Sequence, residues 1–234
     1  MKKTIFTLNV NDYEPEIRAI TYPLLKYYAH KIGACFVEIT ERLFPEWPVT
    51  YEKLQIFKLG REMENDWNIY IDSDALIHPD SPDWTVFMNK DTIAHWGSDV
   101  APIRWQYDKY FLRAGSHWGT GNWFTIGSDW CLDMWRPLEI TPEEAIHHIF
   151  PIHEELNTGI TAEHLVDDYA LSNNIARFGL KAVKLVDVRD QYAQLKGKAF
   201  CMHWYMTSNE IKIEKLRLSV EAWRLPKSMT EYGN

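Results

Sequence analysis

Two aspartates one residue apart, Asp72 and Asp74, lie inside an otherwise apolar stretch, residues 67–79, WNIYIDSDALIHP. Ile69, Tyr70 and Ile71 lead in, Ala75, Leu76 and Ile77 follow, and Pro79 ends the run, which reads as a buried strand. On a strand, residues two apart face the same way, so the two carboxylates are expected to stand together. In apolar surroundings they repel and lose solvation unless a cation lies between them. Oxygen ligands with open positions suit Mg²⁺ or Mn²⁺, ions that share carboxylate sites with substrate phosphates. The plainer alternative is an Asp-x-Asp turn held by its own hydrogen bonds. A second acidic pair, Asp167 and Asp168, falls on a helical stretch, where neighbours point apart and only one of the two faces a site.

Other chemistry-bearing residues have simpler explanations. His147, His148 and His153, with Glu154 and Glu155, match no standard metal spacing and read as a surface helix and loop. His203, in the apolar run FCMHWYM, reads on its own as a core histidine, and Lys53 as a surface lysine. There is no phosphate-binding glycine motif, nucleophile elbow or HExxH. Seven tryptophans (Trp84, Trp96, Trp105, Trp118, Trp123, Trp130 and Trp135) crowd the middle third. Most are expected in the core; Trp105 and Trp118, beside Arg104 and His117 in a long loop over residues 98–118, are candidates to stack on a sugar.

The elements that must position these groups alternate between the two periods. Residues 3–10 read as a first strand. Residues 14–32 follow as a helix with apolar positions at Ile17, Ile20, Leu24, Leu25 and Tyr28, a possible break at Pro23 and a stop at Gly33. Residues 34–39 read as a strand, 50–63 as a helix capped by Thr50, and 67–77 as the aspartate strand. This alternation predicts a parallel α/β sheet with its ligand site at the carboxyl ends of the strands, where Asp72 and Asp74 lie. Further on, residues 92–96, 121–126, 182–188 and 198–205 read as strands. Residues 128–135 open a helix, 137–156 form a loop and a short helix, 161–178 a helix ended by Gly179, and 210–223 a last amphipathic helix before a polar tail.

At 234 residues the chain fits one domain, with 1–209 as its body and 210–234 as a terminal helix and tail packed on it. A net charge of −8 argues against nucleic acid or an anionic membrane as the main partner. Three scattered cysteines, Cys35, Cys131 and Cys201, point to reduced thiols and a cytoplasmic protein. The apolar run after Lys2 and Lys3 is too short for a signal peptide, and no stretch is long enough to span a membrane.

Several stretches together resemble one family. Tyr51-Glu52-Lys53-Leu54, then 67–76 (WNIYIDSDAL), 121–126 (GNWFTI), 128–130 (SDW), 132–135 (LDMW), 164–171 (HLVDDYAL) and 200–203 (FCMH) follow the order found in metal-dependent GT-A glycosyltransferases. The likeness is greatest to the retaining galactosyl- and xylosyltransferases acting on mannan and xyloglucan. It departs from them at His203-Trp204-Tyr205-Met206, where a Gly and a Cys are usual, and in having no membrane anchor. The resemblance implies a GT-A-like, Rossmann-related sheet with flanking helices, and transfer of a hexose or pentose from a nucleotide diphosphate sugar, UDP-linked by expectation, to a glycan or other hydroxyl. It implies Mn²⁺ or Mg²⁺ held by Asp72, Asp74 and His203, and a donor contacted by Thr7, Leu8, Asn9, Lys53 and Ser73. It gives Asp167 or Asp168, with Asp168 preferred, a role in steadying the sugar's positive charge or holding a hydroxyl. Retention of configuration is expected, either through a carboxylate nucleophile or by attack on the face the phosphate leaves. A non-catalytic carbohydrate-binding protein and a metal-dependent sugar-nucleotide hydrolase are the alternatives.

Overall fold

The computed structural model of the chain describes residues 1–96, 122–156, 161–204 and 207–233. The expected loop at 98–118, with Arg104, Trp105, His117 and Trp118, lies outside them, as do Asn157-Thr158-Gly159, Tyr205 and Met206.

Six strands form one sheet in the order β2 (Ala34–Ile39), β1 (Lys3–Leu8), β3 (Trp67–Ile71), β6 (Phe124–Ser128), β5 (Thr92–His95) and β7 (Lys181–Lys184). β1 runs parallel to β2 and β3, and β5 parallel to β7; β6 runs against both of its neighbours. The strand alternation shows in how the core divides. Ile5, Ile69 and Ile71 face a cluster with Tyr22, Leu25 and Tyr28 of helix α1 (Pro15–Lys31). Phe6, Leu8 and Tyr70 face the opposite layer, with Ile56 of helix α2 (Ile56–Glu62), Ala145 and Ile149 of α3 (Pro142–Leu156) and Tyr169 of α4 (Val166–Arg177). A sheet buried on both faces by helices is the expected α/β architecture.

α1 runs unbroken through Pro23, contrary to the expected break. Burial of Tyr22, Leu25 and Tyr28 against the sheet, and of Leu24 in a separate apolar cluster, outweighs the cost of about 3 kcal/mol that an interior proline imposes. Gly33, with φ at +66°, ends it in the left-handed region open to glycine.

Other boundaries moved for local reasons. Residues 50–63 divide into a 3₁₀ stretch, Val49–Gln55, and α2; extended Pro48 starts the helical turns one residue early, so Thr50 is not a cap and its hydroxyl is unpartnered. The strand expected at 182–188 ends at Lys184, because Leu185 and Val188 are buried with helical spacing and seat helix α5 (Leu185–Asp190). α3 is a single long helix. Its start is a capping box, with Thr141 N–H donating to Glu144 Oε2 (2.7 Å) and Glu144 N–H to Thr141 Oγ1 (3.2 Å). Residues 129–135 are 3₁₀ rather than α-helical, capped by Ser128, whose Oγ accepts from Trp130 N–H.

Two short strands stand apart from the main sheet. β4 (Ala75–Ile77) pairs antiparallel with β8 (Cys201–His203), the part of the strand expected at 198–205 that forms among the described residues. Helix α6 (Asn209–Trp223) is laid over α1 and this pair through Leu216, which joins Ile17, Leu24 and Leu76 in a third apolar cluster. A short helix α7 (Lys227–Thr230) follows. Among the described residues no helix is long and apolar enough to cross a membrane.

Candidate metal and donor site

The aspartates do not lie on one strand. β3 ends at Ile71, and residues 72–74 turn before β4 begins at Ala75, whose N–H donates to Asp72 O at 3.0 Å. The turn is pinned on two sides: Asp72 N–H donates to Trp123 O (2.8 Å), and Ser73 O accepts from Thr21 Oγ1 (2.6 Å). The carboxylates therefore meet through a turn rather than through strand alternation. It is the register of the small ribbon, Ala75 opposite His203, that brings the imidazole beside them.

His203 Nε2 lies 3.2 Å from Asp74 Oδ1 and 3.8 Å from Asp72 Oδ2. Trp123 stacks on the imidazole, ring centres 5.1 Å apart and planes 27° from parallel, which sets the ring's orientation. Among the described residues, Asp72, Asp74 and His203 form the group of three or more His, Cys, Asp or Glu able to share one ion, with ligand atoms within 4.8 Å of one another.

The other oxygen of each carboxylate is held by the protein. Asp72 Oδ1 accepts from Tyr70 Oη at 2.5 Å and lies 3.3 Å from Lys53 Nζ. Tyr70 and Asp72 are two apart at the end of β3, so strand alternation accounts for this contact. Asp74 Oδ2 accepts from Lys212 Nζ on α6. Each aspartate thus turns one oxygen to the imidazole and gives the other to a cation or hydroxyl. Two carboxylates and an imidazole are donors that Mn²⁺ or Mg²⁺ accepts, so the residues present fit the expected metal.

Lys53 is buried rather than a surface lysine. Its Nζ donates to Asp167 Oδ2 (2.6 Å) and to Asn122 Oδ1 (3.4 Å), and it sits 4.8 Å above the centre of the Tyr70 ring. The turns that carry it are fixed by Glu52, whose buried carboxylate accepts from Arg42 Nε and from the Leu43 and Phe44 N–H groups. Asp167 and Asp168 occupy the first turn of α4, where the helix dipole favours negative charge. Asp167 is buried against Lys53; Asp168 is partly exposed, and its charge also reaches Lys53.

Electrostatics keeps Asp74, Lys53 and Lys212 ionised. Burial would push the Asp74 carboxyl up, but the His203 hydrogen bond and charge, joined by Lys212, hold it well below the usual carboxylate range. Burial would lower Lys53, and the charges of Asp167 and Asp72 raise it instead; Lys212 is raised in the same way by Asp74. Burial and the neighbouring Asp72 push the Tyr70 phenol far up, so it stays a proton donor to that carboxylate.

Thr7 and Leu8 end β1, and Asn9 follows, at the same edge of the sheet, since Phe6 pairs with Tyr70 in register. Leu8 points into the core and Thr7 faces the Tyr22 phenol; Asn9 Nδ2 donates to Glu38 Oε2 at 2.9 Å. The turn after them runs through left-handed Asn11, Asp12 and Glu14. It carries Tyr13, whose phenol is raised by burial and then by the nearby Asp74. The histidine pair on α3 is elsewhere: His148 stacks on Tyr169, and His153 lies outside the described side chains.

Sequence reasoning missed Lys212, Tyr13, Tyr70 and the stacking role of Trp123. Only Tyr70 carried a readable signal, its two-residue spacing from Asp72. Lys212 lies among Lys215, Arg217 and other charges of an amphipathic helix, with nothing to mark it out.

No family model and no curated protein matches the sequence. Among solved structures, the chain is similar to the crystal structure of a glycosyltransferase involved in the glycosylation of the major capsid of PBCV-1. The TM-score is 0.51 and the identity 15%, over 92% of this chain and 99% of that one. A protein from STIV matches with a TM-score of 0.41 and 14% identity, over 79% of this chain and 82% of that one. The fold is GT-A-like: a mostly parallel six-stranded α/β sheet flanked by helices.

Proposed function

We propose that the chain is a metal-dependent glycosyltransferase that moves a hexose or pentose from a nucleotide diphosphate sugar, UDP-linked in our reading, to a glycan or other hydroxyl acceptor with retention. The observation that carries the proposal is the convergence of Asp72 Oδ2, Asp74 Oδ1 and His203 Nε2 at the sheet edge where α/β folds bind ligands. The PBCV-1 enzyme's fold supports the same reading.

In this proposal Asp72, Asp74 and His203 would hold Mn²⁺ or Mg²⁺. Such a cation supplies Lewis-acid neutralisation of charge on a departing diphosphate. Tyr70 and Lys53 hold Asp72 Oδ1 and aim the carboxylate. Thr7, Leu8, Asn9 and Ser73 border the nucleotide, with Leu8 contributing backbone only. Asp167 neutralises Lys53, and we assign to Asp168, the more exposed of the two on the same helical turn, the holding of a sugar hydroxyl or the steadying of positive charge as the sugar–phosphate bond breaks. The incoming hydroxyl attacks the anomeric carbon from the face the phosphate leaves, the sugar–phosphate bond breaks, and the departing diphosphate takes the hydroxyl's proton. The three unpaired cysteines suit a reducing compartment, and we place the protein in the cytoplasm.

A panel of nucleotide sugars titrated by calorimetry with and without Mn²⁺ tests the assignment. We expect one donor to bind only with metal, Asp74→Ala to abolish that binding, and nucleotide release to require an acceptor. Release without acceptor would make the protein a hydrolase, and binding without release a carbohydrate-recognition protein. Donor binding by Asp74→Ala with unchanged metal dependence would remove the metal from the mechanism.

A further inference from the structure

α6 carries two buried side chains on one stripe, Lys212 and, one turn later, Leu216. Leu216 seats the helix in the apolar cluster on α1, and Lys212 delivers its ammonium to Asp74 Oδ2. The first turn is latched at two more points: Asn209 Nδ2 donates to Glu14 Oε1 (2.6 Å), and Ser208 Oγ caps Ile211 N–H. A lysine is rarely buried without a partner, and here the partner is one of the three residues that can share an ion. The other oxygen of the same carboxylate faces His203.

We propose that Lys212 is a resident counter-cation that competes with the divalent metal for Asp74, so that metal loading and the seating of α6 oppose one another. The inference rests on the metal reading of Asp72, Asp74 and His203. Among the groups in direct contact, Asp72, Asp74 and Asp167 stand against Lys53 and Lys212. With His203 neutral, as a metal ligand must be, one negative charge is left over, and removing Lys212 leaves two. A divalent cation entering beside Asp74 meets the ammonium at close range in a site largely shielded from solvent, where like charges repel far more than in water. The ammonium therefore lowers metal affinity, and a bound metal weakens the hold on the first turn of α6.

The test is Mn²⁺ titration by calorimetry on chelator-stripped protein without nucleotide sugar, comparing wild type, Lys212→Met, Lys212→Arg and Asp74→Asn. Lys212→Met should bind Mn²⁺ about tenfold or more tighter than wild type, the low end for a unit charge at contact distance from a ligand. Lys212→Arg should stay within about threefold of wild type, because the charge remains. Asp74→Asn should not bind. If wild type binds Mn²⁺ and Lys212→Met binds no tighter, the competition is overturned while the metal reading stands. If neither binds, both fall. Should Lys212→Met fail to fold, amide hydrogen exchange on wild type decides: added Mn²⁺ must speed exchange in residues 209–216, and unchanged or slower exchange overturns the proposal.

Discussion

Lys53 Nζ lies 2.6 Å from Asp167 Oδ2, an ion pair spanning 114 residues that ties the 3₁₀ turns before α2 to the first turn of α4. Both side chains are at most 5% exposed, so removing either partner strands a charge in the interior. Such losses run to about 3–5 kcal/mol. Lys53→Met and Asp167→Leu should each lower stability by that order in urea unfolding, and the double variant should lose clearly less than the sum. Single losses below about 1 kcal/mol would mean the pair is solvated.

The two neighbouring aspartates of α4 should separate kinetically. Asp168→Asn should cut turnover by at least about tenfold while leaving donor affinity and stability close to wild type, as expected for a contact made mainly in the transition state. Asp167→Asn should lose stability as well, because Lys53 loses its charged partner. Full activity in Asp168→Asn, measured as acceptor-dependent nucleotide release, would reduce that residue to scaffold.

Acid should reach the site through Asp74. Its carboxyl is held below its unfolded value of about 3.9, so its contribution to stability is complete above that pH and is lost as pH falls towards the folded value. In chelator, urea midpoints of wild type should decline below about pH 4. Asp74→Asn should start lower at pH 6, where Lys212 has lost its anion, and the gap to wild type should narrow on acidification. A constant gap from pH 6 to pH 3 would contradict this linkage.

Thiol chemistry should single out one cysteine. Cys35 is exposed, whereas burial pushes the Cys131 thiol up to about 11 and Cys201 well above its ordinary value. Only the thiolate reacts, so native protein at pH 7.5 should take up about one equivalent of iodoacetamide quickly and three after unfolding. Rapid modification of three native thiols would show that the core around β8 opens readily.

The layered sheet was legible because its signals are local. Ile5 and Phe6, or Ile69, Tyr70 and Ile71, declare their faces through alternation alone, and Gly33 stops α1 where a left-handed residue is needed. The Thr141 and Glu144 capping box was equally local and simply went unread. Asp72 and Asp74 stood out as a pair, but their turn geometry depends on Trp123 and Thr21, which lie about fifty residues away on either side. Lys212 had no local signature at all. A lysine on an amphipathic helix looks the same whether its ammonium meets water or an aspartate 138 residues earlier. The strand expected at 182–188 failed for a related reason: Leu185 and Val188 fit two periods, and packing chose the helical one.

The pairing of β4 with β8 has a consequence for how the protein is made. Ala75 emerges from the ribosome long before its partner His203, and Asp74 long before Lys212. At roughly 5–20 residues per second, the interval is on the order of ten seconds or more. During that time β1, β2 and β3 can already associate, yet the aspartates have neither imidazole nor ammonium beside them. The nascent chain thus carries an unfinished acidic turn on a forming sheet, and the turn gains its imidazole and its ammonium only after residues 203 and 212 are released. A ribosome stalled before residue 203 would display a sheet-bearing fragment whose two carboxylates repel one another with neither His203 nor Lys212 beside them.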